Sequence, residues 1–583
     1  MVFVTFHNHL SRFPSSPATI EAVRWHEARR EADKPRIEFM ETNVPKAPWL
    51  ASYGDIPADI DPDVHPSLAH LFDEAMRRYA RRPALRAGDT VLSYADVDRL
   101  SRDFAAYLQH AGVKKGDRVA VMLPNLLAFP IALIGIVRAG AVQVNVNPLY
   151  TPRELQHQLV DSGAQALVVC DAALPTFEAI KANTAVKTVL SVGAADGLGN
   201  AGSEDGASAP QPGSFAAALA QGAALPFEPP ALCGDDPLFL QYTGGTTGLS
   251  KGALLTHRNL VANVEQFKTF MPGFMTPGEE VVVTALPLYH IFALTVNLIT
   301  YFSIGSENWL VANARDLDNL IDVFKAARPT SFMGVNTLYA GLVAHPRIGE
   351  VDFSRLRLAG GGGAAIIPTV SARWQAITGG FIREGYGLSE TSPVLSFNPG
   401  SIERFTGTTG LPVPSTHVKL MNDGVEAAPG EAGEICAKGP QVMQGYWNQP
   451  EATRAAFTED GYFRTGDVGM FDEGGFLRIV DRSKDMILVS GFNVYPNEIE
   501  AVVTALPGVA ECACVGVADE RSGESVRVFV VPARDAVLTA EEVIAHCREQ
   551  LAAYKVPRVV SFVEALPKST VGKILRRELR DVA

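Results

Sequence analysis

A chain of 583 residues is too long for one hydrophobic core and calls for two or more domains. An apolar fraction of 47% and a charged fraction of 20% describe an ordinary folded protein, while a net charge of -13 and a pI near 5.5 exclude a general nucleic-acid binder, which needs a basic face. Cys170, Cys233, Cys436, Cys512, Cys514 and Cys547 show no paired metal-ligand spacing and read as buried, reduced thiols, which points to a reducing cytoplasm.

Residues before Lys46 differ in character from the rest of the chain. Pro14 and Pro17 interrupt the start, Trp25 to Lys34 is charge-dense, and no period is sustained. No basic start, apolar run and cleavage site mark a secretory leader. Two readings stay open for 1-45: translation begins at Met40, or the segment is a regulatory or anchoring arm.

From Ser67 helices and strands alternate. Ser93-Tyr94-Ala95-Asp96 opens a helix with a capping arrangement, and Thr151-Pro152-Arg153-Glu154 does the same with proline at the first helical position. Between them Arg118 to Leu123 reads as a buried strand, Leu126 to Arg138 as an apolar helix and Val142 to Val146 as a second strand. Strands separated by helices imply parallel α/β sheets. Gly193 to Pro230, rich in Gly, Ala, Ser and Pro, reads as an irregular insertion.

The apolar run Leu238-Phe239-Leu240 leads into Tyr242-Thr243-Gly244-Gly245-Thr246-Thr247-Gly248-Leu249-Ser250-Lys251-Gly252, and a helical run from His257 to Phe270 comes next. Glycines let backbone N–H groups approach an anion, hydroxyls add donors and a lysine supplies charge, so this is the composition of a phosphate cradle. It is not a Walker loop, because Ser250 precedes the lysine and Gly252 follows it. Leu286 to Gly305 approaches membrane-spanning length but contains Pro287, His290 and Asn297, and reads as buried core. His290 by itself reads as a hydrogen-bonded core histidine.

Gly360 to Ala365 satisfies G-x-G-x-x-A after a strand, with Glu384 about twenty residues on, which is the dinucleotide fingerprint and weak on its own. Gly385-Tyr386-Gly387-Leu388-Ser389-Glu390-Thr391 sets an aromatic face between glycines beside a hydroxyl and a carboxylate, suited to adenine, phosphate and magnesium in turn. Asp467, on Asp460 to Asp467, is a turn-held carboxylate able to accept both hydroxyls of a ribose. Asp481-Arg482-Ser483-Lys484-Asp485 alone reads as a solvated turn. The last hundred residues form an α+β pattern, with strands over Cys512 to Val517 and Val526 to Val531 and a helix capped by Thr539 and Glu542 running to Ala553. Lys573, beside Gly572 near the terminus, would alone pass for surface charge.

In this order, from about Lys46 to the terminus, these motifs resemble the adenylate-forming (acyl-CoA synthetase) superfamily. The stretches from Asp467 to Glu500 and from Gly572 to Arg580 look most like bacterial long-chain fatty-acyl-CoA synthetases. The resemblance implies an α/β fold: a large N-terminal adenylating domain of parallel and mixed sheets with helices over 46-483, then a small mobile α+β domain over 484-583. The implied activity is ligation of a fatty acid to coenzyme A with ATP and Mg2+, releasing AMP and pyrophosphate. Thr243, Gly244, Gly245, Thr246, Thr247, Gly248 and Lys251 would cradle the phosphates; Gly362, Gly363, Ala364, Glu384, Gly385, Tyr386 and Gly387 would border adenine. Ser389, where the family commonly has threonine, would bond phosphate. Glu390 with Thr243 would hold magnesium, Asp467 and Arg482 the ribose, and Ile479 would line the nucleotide pocket. His290 would wall the acid site, Lys484 would be the hinge, and Ser490, Gly491 and Phe492 would border the CoA channel. Lys573 would swing in to stabilise charge passing between carboxylate and α-phosphate.

Other acids, medium-chain or aryl, and a carrier-protein thiol as acceptor stay open at this point, as do peripheral contact with the cytoplasmic membrane face and a homodimer. A nucleotide-dependent oxidoreductase resting on Gly360 to Glu384, and a non-enzymatic nucleotide-binding module, are the rival classes.

Overall fold

The computed structural model describes residues 47–193, 211–243, 250–422, 424–482, 485–489, 492–519, 521–534, 536–569 and 574–582. Several helices begin where caps are written into the sequence. Ser93 accepts from the backbone of Asp96 and Asp96 returns the bond, opening Tyr94–His110; Thr151 and Glu154 do the same for Pro152–Ser162. His257–Phe270 starts at Thr256, whose hydroxyl accepts from Asn259.

Four sheets organise the described residues. One has seven strands, with Arg118–Met122, Val142–Asn145, Ala166–Cys170, Thr188–Val192 and Pro237–Thr243 parallel. Lys251–Thr256 and Gly445–Tyr446 extend it in antiparallel fashion. A second has nine, its middle strands Glu307–Leu310, Val281–Thr284, Ser331–Gly334, Leu358–Gly361 and Ile382–Gly387 all parallel. Helix Ala128–Arg138 buries every residue but its last, as its unbroken apolar run requires. A five-stranded antiparallel sheet carries Phe463–Phe471 against Leu477–Arg482. The fourth sheet, built on the long pair Val509–Asp519 and Gly523–Pro532, packs with helices Pro496–Ala505 and Ala540–Gln550 around Ile487, Val494, Ile499, Val503, Cys512 and Cys514.

The mixed α/β architecture is the one expected, and Leu286 to Gly305 is interior. Its Ala293–Thr300 portion is a π-helix with all residues buried, and among the described residues no helix is long and apolar enough to cross a membrane.

Three expectations are corrected. Within Gly193 to Pro230, Phe215–Gly222 is a helix capped by Ser214; Phe215 meets Phe104 at 4.7 Å between ring centroids, and a Cβ on Gly222 would lie 1.9 Å from the Asp103 carbonyl, so the small residues are there for close packing. Cys233 is exposed, in a turn whose N–H donates to Asp236; the other five thiols are buried and all six are free. The helix expected to reach Ala553 ends at Gln550, and a 3-10 turn covers Ala553–Lys555.

Candidate functional site

The hairpin formed by Pro237–Thr243 and Lys251–Thr256 pairs Thr243 with Lys251, so both ends of the glycine-rich loop are held side by side. Gly244, Gly245, Thr246, Thr247 and Gly248 lie outside the described residues. On the next strand, Tyr446 pairs with Ala253. Its ring takes the Lys251 ammonium over its face, 5.0 Å from the centroid, and its hydroxyl donates to Oε1 of Glu390 at 2.9 Å. Burial, reinforced by the Glu390 charge, raises the phenol well above its ordinary range and keeps it a donor. Glu390 is 7% exposed, and its carbonyl accepts from Met443 at 2.7 Å. Loop mouth, lysine, phenol and carboxylate are thereby joined in one row.

Strand Ile382–Gly387 carries Glu384, Gly385, Tyr386 and Gly387 to its C-terminal end, where open α/β sheets bind ligands. Beyond Gly387 the chain turns through Ser389–Thr391, held by the Thr391 hydroxyl accepting from the Leu388 amide at 2.9 Å. A Cβ on Gly387 would sit 1.9 Å from the Pro393 carbonyl, so only glycine lets this turn close. The Tyr386 hydroxyl donates to Oδ2 of Asp467 at 2.6 Å, and the Asp467 amide donates to Thr465 at 3.1 Å. Asp467 pairs with Arg482 across the sheet and Gly469 with Ile479, which places the expected ribose and pocket residues on adjacent strands.

The Gly360 to Ala365 turn packs against the same strand. A Cβ on Gly362 would fall 3.3 Å from the Gly385 carbonyl and 3.4 Å from Phe292, and Gly363 has φ of +77. Ala364 lies on the same turn, exposed. The Ile366 amide donates to Oε1 of Glu384 at 3.0 Å. Burial pushes the Glu384 carboxyl up to about 8, against the opposing pull of that bond. A buried carboxyl tied to the turn's own backbone positions the turn; it is unlike an acid reaching outward to a dinucleotide ribose.

The His290 segment is fixed from both sides. The Asn125 amide donates to the Thr284 and Leu286 carbonyls at 3.0 and 2.9 Å and accepts from Leu288 at 2.8 Å, while Gln241 donates to the Tyr289 carbonyl at 3.1 Å. His290 Nδ1 accepts from the Phe292 amide at 3.3 Å. This brings Phe292, bonded through its amide to His290, beside the Gly362 turn. Asn125, Gln241 and Tyr446 were missed by motif reasoning, since each stands outside any recognisable run and acts on a segment distant in sequence.

Ser483, Lys484, Ser490, Gly491, Thr570, Val571, Gly572 and Lys573 lie outside the described residues, as does the side chain of Arg482. Phe492 is 56% exposed and stacks on Tyr554, with centroids 4.8 Å apart and planes at 24°. Just after Lys573, Arg576 donates from Nη2 to Glu500 at 2.8 Å and to Asn497 at 2.7 Å, and its Nη1 is 3.5 Å from Asp485. Its Nη1 is also 4.0 Å from Asp481, so the chain end is tied to both sides of the expected hinge.

A magnesium ion accompanying ATP takes oxygen ligands, usually one or two carboxylates completed by phosphates and water. Glu390, a single carboxylate oriented by Tyr446, and the Thr243 hydroxyl at the loop mouth fit a shared ion of that kind, not an all-protein cage.

Residues 72–447 match the AMP-binding enzyme family, and residues 498–573 match the AMP-binding enzyme C-terminal domain. A long-chain-fatty-acid–CoA ligase of Salmonella typhimurium is 50% identical over 554 residues, covering 92% of this chain and 98% of its own. One from Escherichia coli O6:H1 is 49% identical over the same length and coverage. Among solved structures, an anthranilate CoA ligase in complex with anthranoyl-AMP superposes with a TM-score of 0.81 at 26% identity, covering 91% of this chain and 98% of its own. The chain belongs to the AMP-binding enzyme family.

Proposed function

We propose that this protein joins a long-chain fatty acid to coenzyme A, using ATP and passing through an acyl-adenylate. The observation that carries the reading is the 50% identity, over nearly the whole of both chains, to a ligase of that name. The acyl-adenylate bound by the anthranilate ligase supports the intermediate.

In the first step a carboxylate oxygen of the fatty acid attacks the α-phosphorus of ATP; the bond to the β-phosphate oxygen breaks and pyrophosphate leaves. The glycine-rich loop between Thr243 and Lys251 holds the phosphates, Tyr386 and the Gly362 to Ala364 turn border adenine with Gly385 and Gly387, and Asp467 with Arg482 accepts and donates at the ribose. Ser389 meets phosphate, and Lys573 stabilises the charge shared by carboxylate and α-phosphate. Glu390 and Thr243 would hold magnesium, which when bound would neutralise phosphate charge. The protein forms no bond to substrate, so positioning and electrostatics carry the step. In the second step the CoA thiol, losing its proton, attacks the acyl carbon and AMP leaves. For this the C-terminal domain turns at Lys484, withdrawing Lys573 and presenting Ser490, Gly491 and Phe492 to the pantetheine.

His290 and Phe292 wall the acid site. The free thiols support a reducing cytoplasm as the place of the reaction. The test is acid-dependent ATP–pyrophosphate exchange with saturated acids from C6 to C18 and with benzoate and anthranilate. A maximum among the long chains supports the proposal; a maximum with an aryl acid replaces the substrate by that class.

A further inference from the structure

Away from this site, at the start of helix Leu68–Arg78, two imidazoles and a carboxylate converge. His65 Nδ1 is 3.2 Å from His70 Nδ1 and 3.6 Å from Oε2 of Glu74, and the ligand atoms of all three lie within 4.8 Å of one another. The local sequence builds this. Ser67 caps the helix by accepting from the His70 amide at 3.3 Å, which folds His65 back over the first turn, and His70 and Glu74 stand four residues apart on one face.

We propose that His65, His70 and Glu74 bind a zinc-class divalent cation. Zinc–nitrogen and zinc–oxygen bonds of about 2.0–2.2 Å set tetrahedral ligand atoms about 3.3–3.5 Å apart, the spacing already present between His65 and its two partners. Two nitrogens facing each other at 3.2 Å can share at most one proton, and both lone pairs are used when a cation lies between them. Behind the cluster, Glu265 of helix His257–Phe270 stands 4.0 Å from the far nitrogen of His65 and is itself paired with Lys268 at 2.7 Å. A carboxylate on the outer nitrogen of a ligating imidazole orients the ring and raises its basicity. The His65 side chain is 14% exposed and Glu74 42%, so the site is backed by protein and open in front, leaving a fourth position for water. A cation here fastens the segment entering Leu68–Arg78 to that helix, with Glu265 of a second helix behind it; none of the residues belongs to the adenylation site.

Tag-free, full-length protein freed of metal by chelator is titrated with zinc alone by equilibrium dialysis, with thermal melting as a second readout. One zinc per chain is expected at a dissociation constant of about 1 µM or tighter, with a rise in Tm. His70→Ala and Glu74→Gln, both at exposed or half-exposed positions that leave the fold intact, should abolish the rise and weaken binding well beyond tenfold, and Glu265→Gln should weaken it about tenfold. Replacing His7 and His9, the other closely spaced pair, should change nothing. Cobalt(II) should give the intense visible bands of a low-coordinate site in wild type and lose them in His70→Ala. Absence of stoichiometric zinc in wild type, or zinc retained with equal affinity in His70→Ala and Glu74→Gln, would overturn the assignment and leave a hydrogen-bonded histidine pair.

Discussion

Tyr446 and Glu390, 56 residues apart, are joined by a 2.9 Å hydrogen bond in which the phenol donates to the carboxylate. The same ring separates Glu390 from Lys251, which rests on its face. One side chain therefore fixes both the carboxylate assigned to magnesium and the lysine assigned to the phosphates. A bond to a charged group contributes about 1.5–3 kcal/mol, so Tyr446→Phe should slow acid-dependent ATP–pyrophosphate exchange by about tenfold or more. Conversion of supplied acyl-AMP with CoA should stay near the wild-type rate. Unchanged exchange in this variant would remove Tyr446 from the site.

Asp467 is buried and accepts from Tyr386, so its orientation depends on that phenol. Asp467→Asn removes the charge and the acceptor pair, and should raise the KM for ATP about tenfold to a hundredfold. Tyr386→Phe loses only the orienting bond and should show a smaller rise. The comparison is made by steady-state kinetics at saturating acid; a larger effect from Tyr386→Phe would mean that the Tyr386 hydroxyl, not the Asp467 carboxylate, dominates nucleotide binding.

Separable damage is expected from two positions of the proposed C-terminal domain. Lys573→Ala should lose adenylation and still turn acyl-AMP and CoA into acyl-CoA. Gly491→Leu should adenylate but transfer poorly if, as proposed, Gly491 borders the pantetheine. Rapid-quench assays of each half-reaction decide this; equal loss of both halves in both variants contradicts domain alternation.

Burial holds the imidazole of His257 down at about 4, where its Nδ1 accepts from the Leu68 amide at 3.1 Å. The folded state therefore binds fewer protons than the unfolded state between that value and the ordinary 6.5. The associated stability is complete above about pH 6.5 and is lost as pH falls toward 4, by about 3 kcal/mol at most. Denaturant unfolding of wild type and His257→Gln at pH 7.5, 6 and 5 should show a shallower acid slope in the variant. Parallel slopes would assign the acid sensitivity to other groups.

Much of the fold was legible because its signals are local. Ser93 with Asp96, Thr151 with Glu154 and Thr539 with Glu542 are caps spanning four residues, and the helices begin beside them. Phe215–Gly222 was hidden because eight residues of mostly small side chains carry almost no period, and Gly222 packs through the absence of a Cβ. At the site, the stretches around Tyr386, Glu390 and Asp467 announce themselves by composition. What composition cannot announce is a relationship over distance. Tyr446 to Glu390, Asn125 to the Leu286 turn, and Arg576 to Glu500 and Asp485 each require the sheets to be assembled before the partners meet.

The most direct measurement is mass spectrometry of a single incubation of the purified enzyme with ATP, magnesium and palmitate, first without and then with coenzyme A. Palmitoyl-AMP and pyrophosphate are expected before CoA is added, and palmitoyl-CoA with AMP afterwards. Release of ADP and phosphate, or palmitoyl-CoA formed with no adenylate detectable in the CoA-free stage, would contradict it.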